Sequence, residues 1–390
     1  MATHAADTPR MGAVQGVGRS RQAQADERYL FGPVIDFLCL GGSTLLLLPI
    51  VLAIGDSDNY PGMASIMLIV AHLLNHPHFA ASYQIFYRGF GEKALTPALG
   101  RSMQLRYFVA GVAVPATLVL VFLYGIVAAD ARMLGYCANL MALAVGWHYV
   151  KQGYGMLMVD AVLKRRYIAD GTKKILLVNC YVAWAASWMG FNAIAYKQDL
   201  WGLAYYSFAI PQPIIATATA IAAATGGAAI LALGLQWRRS GALPVNGVIA
   251  YFVSIYAWLM FVAINPIWAL MVPALHSVQY LVVVGRFQIN YERDHLTDRK
   301  YKPNSLLRRY FGEWPLPQVA VFFVAAGAIG WLGFWGLPGV LDGLVPYDDL
   351  ALTPTLFLFV FWIFINVHHY FMDNVMWRRE NPDTKKYLFS

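Results

Sequence analysis

Charge is what this sequence has least of. Only 13% of its 390 residues are Asp, Glu, Lys or Arg, well below the ~25% of a soluble globular chain, while 59% are hydrophobic. So few charges cannot coat a water-soluble surface, and a polytopic membrane protein is expected. Cysteine is scarce as well. Cys39, Cys137 and Cys180 all fall in apolar stretches, which argues against a disulfide framework or a thiolate metal site and leaves them as small packing residues. Residues 1–28 carry Arg10, Arg19 and Arg21 but no apolar run, so they read as a flexible cytoplasmic tail rather than a signal peptide. No phosphate-cradling glycine loop, dinucleotide fingerprint or serine-nucleophile elbow occurs, so nucleotide and acyl-transfer chemistry have no support.

Long apolar runs are what the chain has instead. Crossing a bilayer core takes about 20 such residues. On that rule ten segments qualify, near 32–55, 62–87, 106–129, 133–160, 174–196, 211–237, 246–264, 266–285, 315–337 and 352–376. Cations test the count. The N-terminal tail, 88–106, 164–174, 238–239, 286–309 and 378–386 hold 26 of the 29 Lys and Arg residues, and these are alternate connections. The opposite side has only Arg132 and Lys197, and Lys151 lies inside a span. The expectation is an all-α protein of about ten transmembrane helices with both termini cytoplasmic, integral to a membrane such as a bacterial inner membrane. One domain, 29–377, would include a cytoplasmic loop at 286–314 and be followed by a cytoplasmic tail, 378–390. Insertion topology accounts for the net charge of +8, so membrane lipids and not nucleic acid are the expected surroundings.

Two segments look structural. The sixth is rich in Ala, Gly and Thr, and the ninth has Gly327, Gly330, Gly333 and Gly336 at a spacing of three. Small residues let helix backbones approach closely in lipid.

Polar residues concentrate in one pattern. Of nine histidines, His4 and His295 lie outside the spans; the other seven fall in the second, fourth, eighth and tenth segments. They are His72, His76, His78, His148, His276, His368 and His369. His76 is twelve residues from Arg88, His148 sixteen from Lys164, His276 ten from Arg286 and His369 nine from Arg378. At 1.5 Å per residue, these distances put the histidines in one slab between mid-membrane and the cytoplasmic side. His72 and His76 are four apart and share a helix face. Gln152, Tyr280 and Asp373 follow His148, His276 and His369 by the same interval. Pro77 can kink the second helix and re-aim His78, and Pro273 stands similarly just ahead of His276.

A single buried histidine usually just bridges helices. Seven at one depth are different, because neutral imidazoles satisfy one another poorly and an unpartnered buried polar group costs about 1–3 kcal/mol. A metal or haem iron satisfies many ring nitrogens at once, and intramembrane ionisable groups mark function. The expected ligands are His72, His76, His148, His276, His369 and Asp373, with His78 and His368 as additions or as donors supporting the ligands. Asn75, Gln152, Gln279 and Asn366 are candidate supporting groups. Lys151 reads either as a salt bridge to Asp373 or Asp160 or as an anchor or proton donor for substrate. Tyr280 is the tyrosine placed for redox or hydrogen-bonding work. Nitrogen ligands with one carboxylate suit iron, copper or zinc.

The "HLLNH" stretch resembles the first histidine box of membrane iron oxygenases, the fatty-acid desaturases and hydroxylases. "INVHH" departs from their HxxHH box by having Ile365 where histidine is required. The membrane carotene dioxygenases are similar in kind, holding iron with histidines from several helices. "HH" and "HPH" resemble the copper and haem pairs of haem-copper oxidases, from which the span count and histidine order depart. These likenesses cover short motifs only. What they imply is an oxidoreductase holding iron, expected as two ions, that uses dioxygen to hydroxylate, desaturate or cleave a lipophilic substrate. Electrons would come from a donor at the basic cytoplasmic face. A haem- or copper-bearing quinol- or oxygen-linked redox protein is the alternative. A metal or proton transporter is the third reading, which internal repeats would favour; none is evident.

Overall fold

A computed structural model describes residues 28–54, 60–195, 199–200, 202–260, 266–297 and 310–389. Nearly all of them are helical. The helices of eight or more residues are α1 (33–54), α2 (60–87), α3 (Arg101–Val127), α4 (Ala131–Leu163), α5 (Asp170–Ile194), α6 (Gln212–Ser240), α7 (Val245–Met260), α8 (Pro266–Thr297), α9 (Leu316–Leu344), α10 (Leu356–Met376) and α11 (Pro382–Phe389). One antiparallel ladder, Asp199–Leu200 against Leu203–Ala204, interrupts the connection between α5 and α6.

Among the described residues six helices are long and apolar enough to cross a membrane: α3, α5, α6, α9, α10 and the stretch Pro33–Ala53 of α1. The described residues of the other stretches expected to span are helical too, but α2, α4 and α8 carry histidines and other polar residues, and α7 is short. In α10 over half of the most apolar window is buried, 56%, against a third or less in the other five candidates. This helix is therefore the inner one. It packs on α2, α3, α4 and α9, while α8 packs on α1, α2, α9 and α11.

Close backbone contact holds the inner helices together. A Cβ on Gly330 of α9 would lie 2.6 Å from the His76 carbonyl oxygen, and one on Gly153 of α4 would lie 2.5 Å from Ser254 Cβ on α7. A side chain at either glycine would force the helices apart. Of the four evenly spaced glycines in α9, Gly330 is the one that meets a neighbouring backbone; Gly327 meets nothing within 4 Å. In α6, Gly226 leaves room for Tyr256 of α7, whose hydroxyl lies within hydrogen-bond distance of Asn179 Oδ1 and the Ala222 carbonyl.

Buried charges are partnered. Asp36 accepts from the Leu30 and Phe31 amides at 2.8 and 3.0 Å, pinning the chain ahead of α1. Asp160 of α4 holds Lys164 at 2.9 Å and accepts from the Gly247 amide at 2.8 Å, tying α4 to α7. Of the expected cytoplasmic loop 286–314, residues 286–297 continue α8 as helix, and 298–309 lie outside the described residues, as do residues 1–27 of the expected tail. Residues 382–389 of the C-terminal tail form α11, docked on α8 through Asn290, which donates to the Tyr387 carbonyl at 2.8 Å, and through Asp294, paired with Lys386.

Candidate metal centre

The inner helices bring four imidazoles together. His78 from α2, His148 from α4, His276 from α8 and His369 from α10 are each 8% exposed or less. Their ring centroids form a closed loop: His78–His276 5.2 Å, His276–His148 4.8 Å, His148–His369 4.9 Å and His369–His78 4.9 Å. Each ring is nearly edge-on to its neighbours in that loop, at 74–90°. His148 Nε2 lies 3.2 Å from His276 Nε2 and 3.3 Å from His369 Nε2. It has one proton at most in the neutral form, so it cannot satisfy both.

Asp373 completes the cluster one helical turn beyond His369. Its Oδ2 stands 3.4 Å from His369 Nε2 and 3.8 Å from His148 Nε2. Its other oxygen, Oδ1, accepts from the Tyr280 hydroxyl at 2.9 Å. Tyr280 in turn accepts from Trp377 Nε1 at 3.1 Å and lies 2.6 Å from Ser82 Oγ. One carboxylate oxygen is thus held and the other is left bare: among the described residues Oδ2 has no hydrogen-bond partner.

His78 is arranged the same way. Its Nδ1 lies 2.7 Å from the Asn75 carbonyl oxygen, to which it donates, and 3.0 Å from Ser277 Oγ, so the lone pair is on Nε2. That Nε2 is buried without a partner among the described residues. A ring whose far nitrogen is fixed by a carbonyl is the arrangement that orients a metal-ligating histidine. His276 and His369 lack such a support, for their Nδ1 atoms have no partner among the described residues. Gln152 backs the cluster instead, donating to the His276 carbonyl at 3.2 Å and to Gln279 Oε1 at 2.8 Å.

The residues fit a metal ion. Side lengths of 4.8–5.2 Å put the centre of the four rings roughly 3.0 Å (tetrahedral) to 3.5 Å (planar) from each centroid. A metal–nitrogen bond of ~2.0–2.1 Å plus ~1.2 Å from nitrogen to ring centre requires about 3.2 Å. Two overlapping triads, His78–His276–His369 and His148–His369–Asp373, have their ligand atoms within 4.8 Å of one another. Both contain His369. The donors are nitrogen and oxygen alone, which suits iron, copper or zinc.

Three expected ligands stand elsewhere. His72 and His76 do share a face, with centroids 4.8 Å apart, but it is the face toward α9, where His76 stacks on Phe334 at 4.5 Å and His72 on Trp335 at 5.6 Å. Phe79 fills the gap, 5.3 Å from Phe334 and 4.7 Å from His369. A π turn over Ala71–Asn75 shifts the register of the helix segment that begins at His76. Within that segment His78 is two residues, about 200°, on from His76, so the two rings face opposite sides and His78 is the one turned inward. His368 points away from its neighbour His369 because successive helical residues diverge by about 100°. It accepts from Tyr83 at Nδ1, 2.9 Å, and donates from Nε2 to the Ala110 carbonyl at 3.0 Å, which uses both ring nitrogens.

Lys151 forms neither of the salt bridges its position suggested. Its ammonium donates to Asn374 Oδ1, while Asp160 is taken by Lys164. Ser82, Ser277 and Trp377 were missed from the sequence, although two of them continue the four-residue ladder, Ser82 after His78 and Trp377 after Asp373.

Beside the cluster lies a cavity of about 540 Å³. His78, His148, His276 and His369 all border it, and the rest of its wall is dominated by apolar and aromatic side chains, among them Met141, Trp184, Phe191, Leu259 and Trp362. The size is that of a small-molecule site, ~300–1,000 Å³. Compared with known proteins, the chain matches no family model, no curated protein and no solved structure.

Proposed function

We propose that this chain is a membrane-embedded oxidoreductase that holds one iron ion between His78, His148, His276, His369 and Asp373 and uses dioxygen to oxidise a lipophilic substrate. The observation that carries the reading is a cluster of bare donor atoms, His78 Nε2 and Asp373 Oδ2 among them, whose four histidines border an apolar cavity. The sequence suggested two ions because it offered eight candidate ligands. Two triads that share His369 favour one. A haem would use one or two histidines and no carboxylate, so four imidazoles gathered beside Asp373 support a non-haem ion instead.

When bound, the iron supplies dioxygen activation and the one-electron steps of the oxidation. The side chains supply order. Asn75 and Ser277 fix the His78 ring, and Tyr280 holds the carboxylate of Asp373 so that Oδ2 faces the histidines. That carboxylate offsets charge that would otherwise be buried uncompensated. The cavity aligns the substrate against the histidine wall and keeps water from it. Tyr280 serves by positioning, and Lys151, bonded to Asn374, takes no direct part.

The full topology belongs to this reading. Ten crossings with both termini cytoplasmic, in a bacterial inner membrane, are supported by the alternation of 26 of 29 cations. The basic cytoplasmic side would then receive the electron donor, and Trp377 at the end of α10 is the aromatic residue between that side and Tyr280. The test is dioxygen uptake by iron-loaded protein in lipid discs with a chemical reductant. Uptake should depend on an added lipophilic substrate and fall at least a hundredfold in His148→Ala and His276→Ala. Equal uptake by either variant would refute the assignment.

A further inference from the structure

The walls of the cavity restrict what the substrate can be. None of the described residues lining it is Asp, Glu, Lys or Arg. Its polar groups outside the histidines are largely committed to the protein: Thr219 donates to the Ile215 carbonyl at 2.9 Å, Asn366 to Trp362 at 2.9 Å, and Tyr256 to Asn179 at 2.8 Å. Lys151, the cation that could have met an acidic head group, is bonded to Asn374 and does not line the space. An ionised carboxylate or phosphate drawn inside would be desolvated with no counter-charge except at the metal centre itself.

We propose that the cavity binds an uncharged lipid, a hydrocarbon or long-chain alcohol, and rejects fatty acids and phospholipids. This rests on the proposed function for its catalytic meaning and names that function's substrate class, but the binding itself needs no metal. At ~30 Å³ per water-sized group, about 540 Å³ holds on the order of 18 non-hydrogen atoms. The ligand reaches the cavity from the bilayer between α5 and α6. Ile194, 39% exposed at the end of α5, lines the cavity together with Ile215 and Thr219 at the start of α6. Gly190 widens the passage, because a Cβ there would meet no atom within 4 Å.

Trp184, Trp188, Trp258 and Trp362 line the cavity and report occupancy. The experiment titrates full-length protein in detergent, iron-loaded and iron-free, with a 16-carbon ω-bromo alcohol and the matching ω-bromo acid at pH 8, reading tryptophan quenching. Saturable quenching by the alcohol is expected in both preparations, with the acid at least tenfold weaker. Gly190→Leu should remove the saturable component without lowering the melting temperature, since the space is open and leucine is the better helix former. Gly227→Leu, on the exposed face of α6 and also free of contacts, should leave it intact. An acid that binds as tightly as the alcohol, with or without iron, overturns the proposal, as does unchanged quenching in Gly190→Leu. Should the protein take up no iron and still bind the alcohol, the metal reading fails while the cavity assignment stands.

Discussion

Replacing Tyr280 by phenylalanine removes one oxygen atom from the middle of the candidate centre. That oxygen is within hydrogen-bond distance of three groups: Asp373 Oδ1 at 2.9 Å, Ser82 Oγ at 2.6 Å and Trp377 Nε1 at 3.1 Å. Ser82 keeps a second acceptor, the His78 carbonyl at 3.2 Å. Asp373 Oδ1 and the Trp377 indole have no other partner among those bonds. A hydrogen bond to a charged group contributes about 1.5–3 kcal/mol, and loss of an outer-shell partner costs a metal site about 10–100-fold in affinity. With Tyr280 only 2% exposed, water cannot readily replace the hydroxyl. The expected result is a 10- to 100-fold weaker iron affinity, measured by chelator competition on detergent-purified protein, with the iron-free protein still folded. Trp377→Phe removes one of the three bonds, leaves the carboxylate held, and should cost less than tenfold. If Tyr280→Phe binds iron within twofold of the wild type, Asp373 is not held as a ligand and the argument fails.

His368→Ala should destabilise the fold by about 1–3 kcal/mol, because it strips partners from Tyr83 and the Ala110 carbonyl, yet leave iron content unchanged; thermal melting and metal analysis of one preparation distinguish the two effects. His76→Ala should likewise retain iron, and a halved content would restore it to the ligand set. Lys386, the larger influence, together with Tyr387 holds the Asp294 carboxyl below the ordinary carboxylate range. A depressed carboxyl stabilises the folded form above its unfolded pKa and loses that effect as pH falls, so α11 should become sensitive to pepsin only below the normal carboxylate range. Asp294→Asn should remove this pH dependence. Reporter fusions after Ser390 and within the 340–350 connection should report opposite sides of the membrane; the same side for both would undo the ten-span topology.

The histidine layer was legible because depth in a membrane helix can be counted from flanking cations, and the structure does gather side chains from the four helices that counting singled out. Which histidine each helix contributes was harder to read. Between His72 and His78 the count of 3.6 residues per turn breaks at a π turn, and no residue type announces one. For His368 and His369, adjacent in sequence, only the packing of α10 against α3 and α4 decides which ring faces inward. Asp373 was readable from its i, i+4 spacing; Ser82 and Trp377 obey the same spacing but are not ligand types, so nothing drew attention to them. The cavity has no periodic signature, since it is space left between seven helices, α2, α4, α5, α6, α7, α8 and α10, by residues as unlike as Gly190 and Trp184. Among the described residues, length and hydropathy alone recover six helices as spans; the polar groups on α2, α4 and α8 lower their apolar content, and α7 is short.

X-ray absorption at the iron edge, on purified protein with its metal content determined, tests the central claim most directly. One iron per chain, with five or six nitrogen and oxygen neighbours near 2.1 Å and the outer-shell scattering of about four imidazoles, is the predicted result; a haem spectrum, or iron retained undiminished after His78→Ala and His148→Ala, would contradict it.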